Sequence, residues 1–413
     1  MEQNKRMMIK IRQLIGVLTL LAASLFSAAA AADGDAIGIG ERRTIQSRVL
    51  GEEREILIHL PQSYRSGHRH TRYPVLYFLD GEKFFHSFSG AIQQLSSDAT
   101  PHIPEMIAVG IVGKDRYRDS SPTRSLRGFD GKETQGLAAT GGGERFLRFV
   151  REELIPFVER EYSTTPYRLY AGYSFTGLSA LHALFSMPES FNAYLIIDPS
   201  WWWDGYVMER MAAASLKEAR FDRIQLFIAT TGQPYPENFF PRTRDAETLA
   251  RMLDAAKPRG LDWEHRRYGN ESHHSLPMLA LYDGLTHIFR GYMPKLDDLY
   301  NDVGRIAKQH EALSRRLGGE FRLREDLLKF FGYQFLYQYG KADKAIDYFD
   351  LNARYYPESS DAWDSLAEAH LAKGDKAAAR RMYAKALALD KSNRSAAARL
   401  KELDNHSPGT ETP

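Results

Sequence analysis

Cysteine is absent from the 413 residues, and that single absence removes disulfide bonds, thiolate metal ligands, a lipid-modified N-terminal cysteine and a cysteine nucleophile. A marked charge of either sign is also missing. The formal net charge is +2, and residues 1–32 hold +3 of it through Lys5, Arg6, Lys10 and Arg12 against Glu2, leaving −1 for the rest. Such a balance gives no support to a nucleic-acid partner or an acidic surface. Long apolar runs are scarce as well. The one candidate, residues 14–26, is short for a bilayer crossing, so no stable membrane span is expected once it is removed.

That run has a basic segment before it and an alanine-rich stretch, residues 28–32, after it. Basic start, apolar middle and small-residue end are the three parts of a secretory signal, so residues 1–32 are expected to be cleaved near Ala32 or Asp33. Export without disulfides suits a bacterial periplasmic or secreted protein with a large enough core to need no covalent staples.

What is present is a soluble composition, 43% hydrophobic and 26% charged, in a chain long enough for two domains. Residues 44–60 alternate around Gly51-Glu52 and stop at Pro61, which predicts an antiparallel hairpin. Short continuous apolar runs follow at 74–79, 106–111, 169–171, 194–197 and 224–229, the pattern of strands covered on both faces. Amphipathic segments of helical period separate them, notably 144–161 and 178–185. Strand alternating with helix predicts an α/β domain over 33–295, a mostly parallel sheet flanked by helices.

Beyond about residue 295 the strand-like runs stop. Residues 296–325 read as a helical linker, and a 34-residue repeat follows within 326–404: Ala345, Phe349 and Pro357 recur as Ala379, Tyr383 and Lys391, with Trp363, Leu366 and Ala386 in the second unit. These spacings predict a small all-helical, tetratricopeptide-like region that could recruit a protein partner, with a disordered tail over 405–413.

The strongest chemical motif is Gly172-Tyr173-Ser174-Phe175-Thr176-Gly177, between an apolar strand and a helical segment. A serine on a tight strand-to-helix turn is the nucleophile arrangement of α/β hydrolases, although Thr176 stands where the second glycine usually falls. Gly177, one position later, is then expected to let the helix pack closely on the sheet. A serine hydroxyl needs a base. His273, in the loop 269–277 after a strand-like stretch, has the right place and order, with His274 as its competitor. The acid is expected in the loop after the strand at 225–229, where Glu237, Asp245 and Glu247 are candidates. Asp245 and Glu247 fit the start of a helix, which favours Glu237, while a Ser-His dyad with no acid stays open.

The backbone N–H groups of Phe175 and Glu82 are the candidates for stabilising an oxyanion, Glu82 because it follows the glycine that ends the strand at 74–79. Residues 198–204, Asp-Pro-Ser-Trp-Trp-Trp-Asp, follow a core strand on the ligand-bearing side of such a sheet, so Trp202 and Trp203 are candidates to line a cleft for an aromatic acyl or aryl group. Arg116, Arg118 and Asp119 either pair with charged neighbours or, through Arg118, meet an anionic substrate.

Taken together, residues 73–81, Arg118-Asp119 with Pro122, residues 153–158, the serine turn, residues 199–204 and Glu271-Ser272-His273 ahead of 281–285 resemble the putative esterase family, which includes esterase D and the esterases of enterobactin-type siderophores. The resemblance covers roughly residues 40–292. It implies an α/β-hydrolase fold, hydrolysis of a small-molecule carboxylic ester without cofactor or metal, and Ser174 with His273 as the catalytic pair. Thr176 and His274 depart from the family pattern. Two other readings are weighed beside it, a hydrolase-like binding protein acting through the helical repeats and an acyltransferase.

Overall fold

Eight strands lie in one sheet in the order β1-β2-β4-β3-β5-β6-β7-β8, in a computed structural model that describes residues 38–65, 71–97, 100–218, 221–232 and 246–405. The strands are β1 Glu41–Ser47, β2 Glu52–His59, β3 Tyr73–Leu79, β4 Ile107–Ile111, β5 Thr164–Tyr173, β6 Ala193–Ile197, β7 Ile224–Thr231 and β8 Leu261–Tyr268. The signal segment 1–32, Glu237, Asp245 and residues 406–413 of the tail lie outside the described residues.

β1 and β2 form the antiparallel hairpin and β2 is antiparallel to β4; the other pairings are parallel. β3, β4 and β6 are buried along their whole length because helices cover both faces. Helix α1, Gly81–Ser96, packs with α4, Leu276–Ile288, and α3, Phe175–Ser186, lies against β5 and β6 among other helices. The parallel strands therefore end together, with the β3, β5, β6 and β7 exits side by side at the edge where a ligand cleft belongs.

Beside that edge sits the short helix α2, Arg116–Ser120, anchored by a cluster of four charges. Arg54, buried on β2, donates from Nη1 to Asp119 Oδ2 at 2.7 Å and to Glu52 Oε1 at 3.0 Å. Arg118 donates to Glu52 Oε1 at 2.6 Å and to Asp119 Oδ1 at 2.8 Å. Two guanidinium groups thus serve two carboxylates, and the planar fork of each suits that sharing. Burial opposes the charge on Glu52, but the hydrogen bonds from Arg118 and then Arg54 outweigh it and hold its carboxyl down to about 2.

The C-terminal helices are α5 Leu296–Asn301, α6 Val303–Leu317, α7 Glu325–Tyr333, α8 Ala342–Tyr355, α9 Ser360–Lys373, α10 Lys376–Leu389 and α11 Arg394–Asn405. Ala345 and Phe349 on α8 are buried, and so are Ala379 and Tyr383 on α10. Residues 296–325 do more than link, since Leu299 and Ile306 enter the same core as Leu328 and Phe331. Arg316 on α6 donates to the buried Gln225 Oε1 at 2.7 Å and to the Ile288 carbonyl at 2.8 Å, which ties the helices to β7 and to the end of α4.

Because the folded carboxyl of Glu52 lies below its ordinary 4.5, its contribution to stability is complete above that pH and is lost as pH falls towards about 2. Urea-unfolding midpoints followed from pH 7 to pH 2 are expected to drop through this window. Glu52→Gln should start less stable at pH 7 and lose less on acidification; an unchanged acid slope refutes the assignment.

Candidate active site

β5 ends at Tyr173, and the next residue, Ser174, adopts φ 56 and ψ −120 before α3 begins at Phe175. Few side-chain-bearing residues accept a positive φ, and this one persists because its surroundings hold it. The Ser174 N–H donates to the Ile197 carbonyl at 2.9 Å, and its own carbonyl accepts from the N–H groups of Gly177 at 3.1 Å and Ser200 at 2.9 Å. The turn is tight enough that a Cβ on residue 172 would stand 2.3 Å from the Thr176 carbonyl oxygen, which demands Gly172. A Cβ on residue 177 would press on Pro199 at 2.9 Å, so Gly177 lets α3 approach the loop after β6.

His273 lies on the loop between β8 and α4. Its Nε2 is 2.9 Å from Ser174 Oγ, and its Nδ1 is 2.6 Å from Asp198 Oδ2. A carboxylate can only accept, so Nδ1 carries the proton and donates to Asp198, which leaves the Nε2 lone pair to accept from the serine hydroxyl. Of the two adjacent imidazoles, His273 is therefore the one that faces Ser174. His274 Nδ1 meets the Tyr173 hydroxyl at 3.3 Å. The Tyr173 ring lies against that of His273, centroids 4.6 Å apart, and burial, with the nearby Asp198 charge, pushes its phenol up so that it stays protonated.

The carboxylate that meets His273 is that of Asp198, the first residue after β6, whereas the acid was expected after β7. Glu237, the expected acid, lies outside the described residues, and Nδ1 already has its carboxylate. Asp198 keeps the chain order serine, acid, histidine; what hid it in the sequence was its place at the head of a tryptophan run that invites a reading as a substrate wall. It too has a positive φ, 39, and Thr231 at the end of β7 fixes it: the Thr231 N–H donates to Asp198 Oδ1 at 3.3 Å and its hydroxyl to the Glu271 carbonyl, two residues before His273.

Phe175 and Glu82 open helices α3 and α1, where backbone N–H groups have no acceptor within their own helix. The two turns are held close by Thr176 Oγ1 and Asp80 Oδ2, 3.4 Å apart. The Glu82 side chain turns aside and accepts from the Gly113 N–H at 2.9 Å. A substrate carbonyl at Ser174 can thus meet backbone donors with helix-dipole support.

Two substrate-wall expectations need correction. Trp203 is wholly buried, edge-on to Phe175 with centroids 5.0 Å apart, so it supports the turn and cannot reach a ligand. Arg118 spends its guanidinium on Glu52 and Asp119 in the α2 anchor. Trp202 is half-buried and stands 6.5 Å from Phe175 and 6.3 Å from Phe129. Tyr117, 45% exposed and 4.9 Å from Phe175, and Phe129, 42% exposed, complete an aromatic wall beside Ser174. Neither was legible in the sequence, since each is a single aromatic residue in a polar segment.

Comparison with known proteins agrees with this geometry. The profile of the family described as "Putative esterase" matches residues 47–233. The chain is 28% identical over 222 residues to the ferri-bacillibactin esterase of Bacillus subtilis, covering 50% of this chain and 76% of that protein. It is 27% identical over 248 residues to the siderophore triacetylfusarinine C esterase of Aspergillus fumigatus, covering 53% and 82%. Among solved structures, an IroE-like serine hydrolase from Shewanella oneidensis superposes with a TM-score of 0.70 at 30% identity, covering 76% of this chain and 99% of that one.

Asp198→Asn is expected to slow the reaction of Ser174 with a fluorophosphonate by on the order of 10²–10⁴-fold, by presenting the wrong histidine tautomer, while Glu237→Gln stays within about twofold of wild type. The reverse pattern, read from labelling rates by intact mass, assigns the acid to Glu237.

Proposed function

Because the chain belongs to the putative esterase family and is a carboxylic ester hydrolase, we propose that it acts through an acyl-enzyme on Ser174, with His273 as general base and acid and Asp198 as the group that orients it. The observation that carries this reading is the position of His273 between Ser174 Oγ and Asp198 Oδ2.

Ser174 Oγ attacks the ester carbonyl carbon as its proton passes to His273 Nε2, and the carbonyl oxygen becomes the oxyanion facing the Phe175 and Glu82 N–H groups. Asp198 stabilises the imidazolium so formed. Breaking the carbon–oxygen bond to the leaving group, with transfer of the proton from Nε2, releases the alcohol and leaves the acyl group on Ser174. Water then gives a proton to Nε2 and attacks; collapse returns that proton to Ser174 Oγ and frees the carboxylic acid.

The substrate is a siderophore-class ester that presents an aromatic acyl or aryl group to the site. Two features support this: the wall of Tyr117, Phe129 and Trp202 beside the nucleophile, and the siderophore esterases among the chain's relatives. Flat aromatic faces prefer edge-on or offset partners, which three differently inclined rings can supply.

The basic, apolar and alanine-rich parts of residues 1–32 support export to the periplasm or beyond. The matched buried positions on α8 and α10 support a tetratricopeptide pair as a site for a protein partner.

Ser174→Ala is expected to lower kcat on p-nitrophenyl and aryl-acyl esters by on the order of 10⁴-fold or more. Trp202→Ala should raise KM for aryl-acyl esters by roughly threefold to tenfold while leaving that for acetyl esters alone. A Ser174→Ala enzyme with wild-type turnover sinks the mechanism; an equal effect of Trp202→Ala on both esters sinks the substrate class. Expressed whole in a Gram-negative host, the protein should be recovered from the periplasm with an N-terminus at Ala32 or Asp33, and an intact Met1 on cytoplasmic protein overturns export.

A further inference from the structure

The β3–β5 ladder ends at Phe78 and Ala171. Two residues further on, Asp80 and Tyr173 face a gap that no backbone pairing closes, and each leads directly into one of the two turns that bear oxyanion donors. Side chains close the gap instead. Arg116 Nε donates to Asp80 Oδ1 at 2.8 Å and to Oδ2 at 3.1 Å, and its Nη2 reaches the Tyr173 carbonyl at 3.4 Å.

Thr176 completes the bridge. Its Oγ1 accepts from the Tyr173 N–H at 3.0 Å, a donor that the ended ladder would otherwise strand. Its single proton faces two acceptors, the Tyr173 carbonyl at 2.9 Å and Asp80 Oδ2 at 3.4 Å. Thr176 and Asp80 are both buried, so water cannot take over these bonds. A glycine at position 176, the usual occupant in such turns, would offer none of them.

We propose that Thr176 is a positioning residue, whose hydroxyl, together with Asp80 and Arg116, sets the separation between the Phe175 and Glu82 N–H groups and so the fit of the oxyanion between them. The inference rests on the serine-esterase reading above and concerns only how its transition state is held. Donors of this kind act through placement, and a shift well under 1 Å is felt in turnover before it is felt in binding of the uncharged ester.

The test compares wild type, Thr176→Val, Thr176→Ser, Asp80→Asn and Ser174→Ala in hydrolysis of an aryl-acyl ester and in inhibition by an aryl boronic acid, whose tetrahedral adduct on Ser174 presents an anionic oxygen to the same donors. Thr176→Val is expected to lower kcat by about 10- to 100-fold with KM within about threefold, and to weaken the boronic acid by a matching factor. Thr176→Ser, which restores the hydroxyl, should return both to within about threefold, and Asp80→Asn should fall between the two. Wild-type kcat and inhibition in Thr176→Val overturn the proposal, as does a loss that Thr176→Ser fails to repair. Should Thr176→Val not fold, full activity of Asp80→Asn overturns it equally. Ser174→Ala keeps the two ideas apart: an active Ser174→Ala refutes the esterase mechanism itself, whereas an inactive one beside an unaffected Thr176→Val refutes only the role of Thr176.

Discussion

Three residues with side chains hold left-handed backbone at the ends of three neighbouring parallel strands, and the site depends on that constraint. Asp80 after β3 and Ser174 after β5 have φ 56, and Asp198 after β6 has φ 39. Each conformation costs on the order of 1–3 kcal/mol and exists only where the surroundings impose it. Each turns the chain sharply away from the sheet as soon as the last strand residue is placed. That is why the first residue beyond the strand projects at the edge in each case, with Ser174 and Asp198 both within reach of a single imidazole.

Parallel pairing supplies the imposition. β5 and β6 are in register through Tyr173 and Ile197, and the ladder carries on into the turn, since the Ser174 N–H bonds to the Ile197 carbonyl. The Asp198 N–H bonds in turn to the Ala229 carbonyl on β7. Ser174 and Asp198 are therefore fixed by the same hydrogen-bond pattern that builds the sheet, and only His273 comes from a loop. Thr231 compensates for that freedom, because its N–H holds Asp198 while its hydroxyl holds the loop that carries His273.

The sheet was legible because strands buried on both faces must be continuously apolar, and β3, β6 and β7 announce themselves in that way. That Ser174 and His273 would meet was legible because a serine on a glycine-flanked turn and a histidine further along the chain are the pattern such chemistry needs. Asp198 was not, since a lone carboxylate after a strand has no local signature and only the adjacency of β5 and β6 makes it the partner of His273. Trp202 and Trp203 illustrate the same limit: neighbouring residues on a turn point in different directions, so one stays half-exposed and the other is entombed. A further departure lies at residues 144–161, where one amphipathic helix was expected. A π turn over Val150–Leu154 interrupts it just before Pro156, which has no N–H to give to the preceding turn.

Arginines also decide how the helical region joins the sheet, and they do so at the end away from the chemistry. Arg324 donates to the Ser96 carbonyl at 2.6 Å, satisfying an orphan acceptor at the C-terminus of α1, the helix whose first turn carries Glu82. Arg316 holds the end of α4, the helix that follows His273, through the Ile288 and Arg290 carbonyls. The two helices whose N-termini flank the cleft are thus both gripped at their far ends by residues 316–324. Since a helix moves as a rod, fixing the far end limits the rotations left to the near one. On that argument the C-terminal helices belong to the rigidity of the site as much as to any surface they offer a partner.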